Sequence, residues 1–234
     1  MAKITKRSKA WAGQIDREKQ YDLKEAVSML KKFAGAKFDE SVEVALNLNV
    51  DTRQADQQVR GMVSLPHGTG RKVRVAVFAK GDAAAAAEKA GADIVGAEDL
   101  AAKVEKGFLE FDAVIATPDC MPLMGRIGKI LGPKGLMPNP KLGTVTPAPE
   151  KMVKEIKSGM IEYRAEKQGV VHIMAGKSSF KEEQILENIQ KFFSTIKTNK
   201  PSGAKGVYMK SMAISSTMGP GIKIDMSTVM GDAK

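Results

Sequence analysis

The sequence predicts an α/β protein with two domains, one of them inserted into the other. In the middle third, short apolar strands alternate with alanine-rich helical segments, which favours βαβ units and a parallel sheet. Both chain ends instead combine amphipathic helices with strands of alternating polarity, a pattern typical of an α+β domain. The middle third has no segment with the α+β pattern of the final third, so we expect the final third to fold with the N-terminal third.

The N-terminal third begins with a helix, predicted over residues 22–33 because apolar residues recur there at helical spacing after Asp22, a typical N-cap residue. Alternating apolar and polar residues then predict a half-buried strand over 42–50. A second strand is expected at 59–65, and it ends at the turn-forming run 66–70.

The rest of the chain contains two further groups of elements. In the middle third we predict strands at 73–77, 93–95 and 113–116 and helices at 83–90, 98–106 and 149–158. Residues 118–149 are rich in glycine and proline, and no regular element is predicted between them. In the last third we predict strands at 161–164, 170–174, 207–215 and 222–225 and a helix at 180–196. Gln168 and Gly169 predict a hairpin between the first two of these strands.

These patterns divide the chain into a discontinuous domain of residues 1–68 plus 159–234 and an inserted domain of residues 69–158. We predict a hinge where the chain crosses between them, because glycine permits the large dihedral changes that a hinge needs. The predicted hinge residues are Gly68, Gly70, Ser158 and Gly159. Two glycine turns without any motion are the alternative that the pattern leaves open.

The composition favours an acidic partner and excludes several classes of protein. The 234 residues carry a formal net charge of +10, and nucleic acid is the commonest acidic partner, although a merely soluble basic protein has the same composition. No apolar run approaches the roughly 18 residues of a membrane span, and the N-terminus lacks the apolar region of a secretory signal. The single cysteine, Cys120, excludes an internal disulfide and is compatible with the cytoplasm.

Cations are concentrated in two stretches that contain no acidic residue. The first, at the N-terminus, contains Lys3, Lys6, Arg7 and Lys9. The second, between Asp119 and Glu150, contains Arg126, Lys129, Lys134 and Lys141. A basic arm can reach RNA phosphates, and each neutralised phosphate releases a counterion. Ordinary solvated surface is the alternative interpretation.

No arrangement of residues in the sequence points to catalysis, to a cofactor or to a metal. His67, His172 and Cys120 do not have the spacing of a metal site, and no local signature supports a Cys120–His172 nucleophile pair. The run from Gly125 to Lys129 lacks the four-residue gap and the following hydroxyl residue of a phosphate loop. We therefore predict no enzyme activity. A nucleotide-dependent enzyme using the parallel sheet is the weaker alternative, because only the βαβ pattern supports it.

Three segments favour RNA contact on chemical grounds. Residues 36–41 place a cation and an aromatic ring before a strand. Residues 125–141 repeatedly pair glycine with a cation, so that backbone amides and charge can both approach phosphate. Residues 215–221 offer hydroxyls and bare backbone to ribose 2′-OH groups. Their plain structural alternatives are a helix-to-strand turn, a rigid surface loop and a β-turn.

The run LGPKGLMPNPK over residues 131–141 resembles the signature of the family of the first protein of the large ribosomal subunit. Further matches follow in the family's order: KFDE at 37–40, VRG at 59–61, SLPHG at 64–68, FDA at 111–113, ATPD at 116–119 and TMGP at 217–220. The resemblance covers essentially the whole chain, and several of its motifs are long and specific.

The resemblance implies a two-layer α+β domain made of both chain ends and an inserted three-layer α/β domain of Rossmann-like topology. It implies a non-enzymatic constituent of the large subunit in the cytoplasmic ribosome, monomeric when free. The expected partners are large-subunit rRNA at the mobile stalk, exit-site tRNA, whose release it assists, and the mRNA of its own operon, whose translation it represses.

The resemblance also implies which residues contact rRNA. They are Lys37, Phe38, Ser41, Glu166, Gly169, His172, Ser211, Thr217, Met218 and Gly219. Lys37 is expected at a phosphate, and Phe38 and Met218 against sugar or base. The hydroxyls of Ser211 and Thr217 are expected to bond 2′-OH groups or phosphate.

Some of these assignments have alternatives. Glu166 is expected to accept from a ribose hydroxyl or a base amino group, or to orient a neighbouring cation. The family often has threonine where this chain has Ser41, and often aspartate near Glu166. His172 is either an RNA contact or a buried strand histidine. The cations Arg126, Lys129, Lys134 and Lys141 are expected to form a second RNA surface, facing tRNA or the stalk tip.

Overall fold

A computed structural model describes residues 9, 11, 13–16, 18–204 and 206–231. They divide into two compact units. The first unit takes in the described residues up to Gly70 and from Tyr163 onward, and the second covers Arg71–Glu162. Ser158 and Gly159, predicted at the boundary, therefore fall within the second unit. No helix of the described residues is long and apolar enough to cross a bilayer.

The regular elements combine helices and strands throughout, so the predicted α/β class is confirmed. The helices are α1 (Leu23–Phe33), α2 (Asp82–Lys89), α3 (Glu98–Glu105), α4 (Met121–Leu131), α5 (Pro149–Lys157), α6 (Glu182–Thr198) and α7 (Met226–Gly231). The strands are β1 (Ser41–Leu48), β2 (Arg60–Ser64), β3 (Val75–Phe78), β4 (Ile94–Gly96), β5 (Ala113–Ala116), β6 (Met160–Arg164), β7 (Val170–Lys177), β8 (Met209–Ser216) and β9 (Ile222–Ile224).

The first unit is built on an antiparallel sheet in the order β7-β1-β8-β9, with α1 and α6 against it. Along β1, Val42, Val44 and Leu46 are buried, whereas the residues between them point to the other side. This alternation directs every second side chain to the helices, where apolar burial stabilises the layer pair. We call the opposite face, on which Glu43, His172 and Ser211 are exposed, the open face.

The prediction that Asp22 is the N-cap residue of α1 is confirmed. Its backbone carbonyl accepts from the Ala26 N–H at 2.8 Å, and its side chain makes no capping hydrogen bond. The predicted turn between β6 and β7 is present: the Gly169 N–H donates to the Glu166 carbonyl and the Glu166 N–H to the Val170 carbonyl, both at 2.9 Å, and Ala165 forms an antiparallel bridge with Val171. The predicted hairpin does not continue beyond this bridge, because β6 pairs with β2 and β7 pairs with β1.

The second unit has three layers around a parallel sheet in the order β4-β3-β5. Helices α3 and α4 pack on one face, through residues such as Val104 and Ile127. Helices α2 and α5 cover the other face, through Ala87 and Val153. Because β3 lies between two helical layers, all four of its residues are buried, which explains its continuous apolar run.

Helix α4 lies inside the segment for which no regular element was predicted. Its buried residues Met124, Ile127 and Leu131 follow one another at helical spacing, so an apolar stripe exists despite the glycines around it. The helix ends where Gly132 and Pro133 follow. Packing of this stripe against the sheet outweighs the low helix propensity of the two internal glycines.

Candidate nucleic-acid interface

A buried carboxylate, that of Glu40, fixes two of the segments that the sequence analysis selected. Glu40 is only 1% exposed. One of its oxygens accepts from the backbone N–H of Ala36 at 2.9 Å. The other accepts from the Ser216 hydroxyl at 2.7 Å and from the Met218 N–H at 3.0 Å. The loop before β1 and the turn after β8 are therefore held by one side chain.

Ser41 and Thr217 connect the same two segments through their backbones. The Ser41 N–H donates to the Thr217 hydroxyl at 2.9 Å, and the Thr217 N–H donates to the Ser41 carbonyl at 3.1 Å. The Ser41 hydroxyl accepts from the Lys177 ammonium at 3.0 Å. The oxygen of Thr217 is thus used within the protein, whereas the Ser41 hydroxyl keeps its proton for an outside acceptor.

Asp39 ties the loop before β1 to the segment after β7. Its carboxylate accepts from the Ser178 hydroxyl at 2.8 Å, and from the Ser179 hydroxyl at 2.9 Å and N–H at 3.1 Å. These hydrogen bonds hold the pKa of Asp39 below its usual range, and the bond from the Ser178 hydroxyl makes the largest contribution. Asp39 therefore stays ionised and keeps the loop in place.

Two large apolar side chains protrude from this framework. Phe38 is 55% exposed and Met218 is 49% exposed, and exposed Lys37 precedes the ring. Because both side chains project from segments that Glu40 holds in place, they are candidates for contact with a partner. We call this region the ledge, defined by Lys37, Phe38, Ser41, Thr217, Met218 and Gly219. A side chain at Gly219 would strike the Ser216 hydroxyl, so the turn requires glycine there.

Glu166 and Gly169 lie in the turn between β6 and β7, at the other end of β1. The Gly169 N–H donates to the Glu166 carbonyl, and the Gly169 carbonyl accepts from the Leu48 N–H, both at 2.9 Å. Gly169 has a φ of +79°, and an added Cβ would lie 2.8 Å from the Leu48 oxygen. Gly169 is therefore required by the backbone itself, while the Glu166 side chain is exposed.

The open face joins the ledge to this turn. In the sheet register His172 lies opposite Ala45, Ala45 opposite Ala213, and Ala213 opposite Lys223. Ser211 is exposed on the same face, opposite Asn47. His172 is exposed, so the buried-histidine alternative is wrong. A strand such as β1 spans about 25 Å, and the predicted residues thus form one elongated strip rather than a pocket.

The second unit carries the other predicted surface. Arg126 and Lys129, one helical turn apart, lie exposed on α4, and Lys134 and Lys141 are exposed in the segment after it. Met137 is 39% exposed in the same segment. Of the predicted basic arm, Lys9 is exposed, whereas Lys3, Lys6 and Arg7 lie outside the described residues.

The residues considered for catalysis do not form a site in the part of the chain that the structure describes. Cys120 is fully buried in the core of the second unit, so its thiol is not accessible to solvent. Among the described residues, no group of three or more His, Cys, Asp or Glu side chains is arranged to hold a metal ion.

Residues 30–220 match the model of the ribosomal protein L1p/L10e family. The chain belongs to this family. It is also 52% identical, over 229 residues, to the large ribosomal subunit protein uL1 of Actinobacillus succinogenes, a match that covers 98% of this chain and 100% of that protein. As a member of the L1p/L10e family, the chain is a structural ribosomal protein and not an enzyme.

The residues that hold the interface together were not predicted from the sequence. Glu40, Asp39 and Lys177 make the contacts that place the ledge, yet none was among the predicted site residues. The two acids that follow Phe38, Asp39 and Glu40, could have indicated this role. Carboxylates at an RNA surface repel phosphate unless they accept hydrogen bonds within the protein.

Proposed function

We propose that this protein is a structural constituent of the large ribosomal subunit that binds large-subunit rRNA at the mobile stalk, in the cytoplasmic ribosome. The RNA lies along the ledge, the open face and the turn at Glu166. The ledge is the observation that carries this proposal. Phe38 and Met218 are about half exposed, yet they project from segments that buried Glu40 fixes. A surface ordered in advance loses little conformational entropy on binding.

The ledge supplies phosphate, sugar and base contacts together. Lys37 neutralises a phosphate, and Phe38 packs on an unstacked base or a ribose, as aromatic rings do in single-stranded RNA sites. Met218 adds adaptable apolar contact beside it. The Ser41 hydroxyl donates to a phosphate or ribose oxygen, since its own oxygen is occupied by Lys177. Thr217 acts mainly by positioning Ser41.

The open face and the far turn extend the contact along the RNA. Ser211 and His172 offer a hydroxyl and an imidazole from a sheet surface whose central residues, Ala45 and Ala213, are small. Small residues at the centre let a ribose-phosphate strand approach the backbone closely. Glu166, fully at the surface, accepts from a ribose hydroxyl or a base amino group, while Gly169 shapes the turn.

The proposal includes two further roles. The strip also binds, in the mRNA of the protein's own operon, a structure similar to the stalk rRNA, and it thereby represses translation of that mRNA. The second surface, formed by Arg126, Lys129, Lys134 and Lys141, contacts exit-site tRNA or the stalk tip and assists tRNA release. The exposure of these four cations, two of them on α4, supports a contact with phosphates. The free protein is expected to be a monomer.

A hinge is also proposed at Gly68, Gly70, Ser158 and Gly159, of which the last two lie inside the second unit, shortly before the second crossing. The three glycines have positive φ values, a conformation that strains other residues. Asn188, fully buried, donates to the Gly68 carbonyl at 2.9 Å and accepts from the His67 N–H at 3.1 Å. Bending is therefore expected on the side of Gly70, beyond this anchor.

The test is binding of the purified chain to three RNAs: a stalk rRNA fragment, the leader of its own operon mRNA and an arbitrary duplex. We expect preference for the first two, with affinity falling roughly 10³-fold between 50 and 200 mM salt if about six phosphates are contacted. Equal affinity for all three RNAs, or binding that does not change with salt, would refute the proposal.

A further inference from the structure

A cationic cleft lies at the turn between β6 and β7, and it shares only Glu166 with the strip described above. It encloses about 1050 Å³ where the loop after β1 faces the turn between β6 and β7. Its charged lining consists of Arg53, Arg60, Arg164, Glu166 and Lys167. Its volume is comparable with that of the largest ligand pockets, about 1,000 Å³.

The charge of this cleft is poorly balanced. The lining contains a single acid, and within the described part of the chain the three cations Arg53, Arg164 and Lys167 form no ion pair. Like charges held together in a concave wall raise the local positive potential and attract anions. Such a cluster costs stability in the free protein, which is the arrangement expected where an anionic partner supplies the missing charge.

The walls of the cleft are fixed by hydrogen bonds that do not use the cationic groups. The Ala165 N–H donates to the Val59 carbonyl at 2.8 Å, and the Thr52 hydroxyl donates to the Lys167 carbonyl at 3.3 Å. The backbone positions of Arg164 and Lys167, on either side of Ala165, are therefore set before any ligand arrives, while their charged ends stay in water.

The chemistry of the lining selects phosphate rather than a base. Guanidinium groups bind two phosphate oxygens at once, and the ammonium of Lys167 adds a point charge. The lining contains no aromatic side chain on which a base could stack. Because Glu166 belongs to both the cleft and the strip, a polynucleotide on the open face reaches the cleft without a break.

We propose that this cleft binds two or three consecutive phosphodiester groups of an RNA strand, and that it does so without regard to base sequence. The choice of RNA rests on the proposed function, whereas the recognition of phosphate rests on the cleft alone. Affinity from the cleft adds to the strip, and discrimination between RNAs stays with the strip.

The test compares two variants with the same net charge. Arg164→Gln/Lys167→Gln removes two charges from the cleft, and the control Lys191→Gln/Lys197→Gln removes two exposed charges from α6. Binding of the stalk rRNA fragment and of an arbitrary RNA of equal length is measured between 50 and 200 mM salt. For the cleft variant, the slope of log K against log salt should become shallower by about 1.5 with both RNAs, and affinity should fall roughly three- to tenfold.

The control should keep the wild-type slope, and the charge-retaining Arg164→Lys/Lys167→Arg should recover most of the lost slope. A cleft variant with the slope of the control would overturn the proposal. If the wild type shows no preference for stalk rRNA, the proposed function fails, and the slopes on the arbitrary RNA still decide about the cleft. Unfolding curves establish that each variant is folded at the assay temperature.

Discussion

The Glu40 carboxylate accepts a hydrogen bond from the Ser216 hydroxyl at 2.7 Å, and both residues are almost completely buried. These residues are 176 positions apart in the sequence, so one contact joins the two chain ends at the base of the ledge. A buried carboxylate is tolerated where several donors satisfy it, and here the N–H groups of Ala36 and Met218 provide the others. The position of the ledge therefore depends on a residue that no RNA needs to touch.

Replacing Glu40 by alanine should destabilise the protein and weaken RNA binding together. The substitution leaves the N–H groups of Ala36 and Met218 and the Ser216 hydroxyl without their acceptor. We expect a loss of about 3 kcal/mol in the free energy of unfolding, measured with urea. Glu43→Ala, on the open face of β1, should change stability by less than about 0.5 kcal/mol. Equal effects of the two substitutions on stability would contradict the assignment.

Asp39 should make stability depend on pH in the acid range. Its pKa in the folded protein lies below the ordinary 3.8, chiefly because the Ser178 hydroxyl bonds the ionised form. A lowered pKa stabilises the fold above the ordinary value, and this contribution disappears as pH falls through the folded-state pKa. The stability difference between wild type and Asp39→Asn should thus be constant from neutral pH to about pH 5 and shrink below pH 4.

The partner of Asp39 provides the control for this prediction. Ser178→Ala removes the largest cause of the lowered pKa, so Asp39→Asn should cost less in that background. Urea unfolding at several pH values measures both differences. A wild-type advantage over Asp39→Asn that grows as pH falls below 4 would show that the sign is wrong.

The periodic elements could be predicted from sequence because their burial follows simple rules. The strand at 42–50 alternates because one face of its sheet packs on helices, and the helix at 83–90 ends near Gly91, which has a φ of +92°. Helix α4 was hidden by its glycines, although Met124 and Ile127 already marked a buried stripe. The glycine and proline content of residues 118–149 led to the prediction that they form no regular element. The helical spacing of the apolar residues in α4 predicts the helix correctly.

The candidate site was less predictable, because its geometry comes from contacts between distant segments. Nothing in the local sequence indicates that Glu40 is buried and Asp39 exposed. Likewise, the turn at Gly169 could be predicted from the sequence, but the pairing of β6 with β2 could not, because these strands lie far apart in the chain. The resemblance supplied residue names, and only the structure separated Thr217, which is bonded internally, from exposed Met218.

Gly169→Ala should destabilise the turn at Glu166 through both strain and collision. The position has a φ of +79°, and the new Cβ would lie 2.8 Å from the Leu48 oxygen and 3.3 Å from that of Val50. We expect a loss of about 2–3 kcal/mol in the free energy of unfolding. Gly107→Ala has a similar φ of +96° but meets nothing within 4 Å, so it should cost only about 1 kcal/mol. Thermal or urea unfolding compares the two, and equal losses would remove the collision from the explanation.

Met218→Asp should weaken binding of the stalk rRNA fragment without unfolding the protein. The side chain is 49% exposed, so the fold loses little, but the new carboxylate replaces apolar contact and faces phosphate. We expect RNA affinity to fall by at least about 2 kcal/mol, roughly thirtyfold in Kd, in titrations at constant salt. Val207→Asp is the matched control, because Val207 is 73% exposed in the same unit but lies outside the strip. That substitution also adds one negative charge, so it measures the general effect of charge on RNA affinity. Only the difference between the two variants reports contact at the ledge, and an equal loss of affinity in both would exclude Met218 from the RNA site.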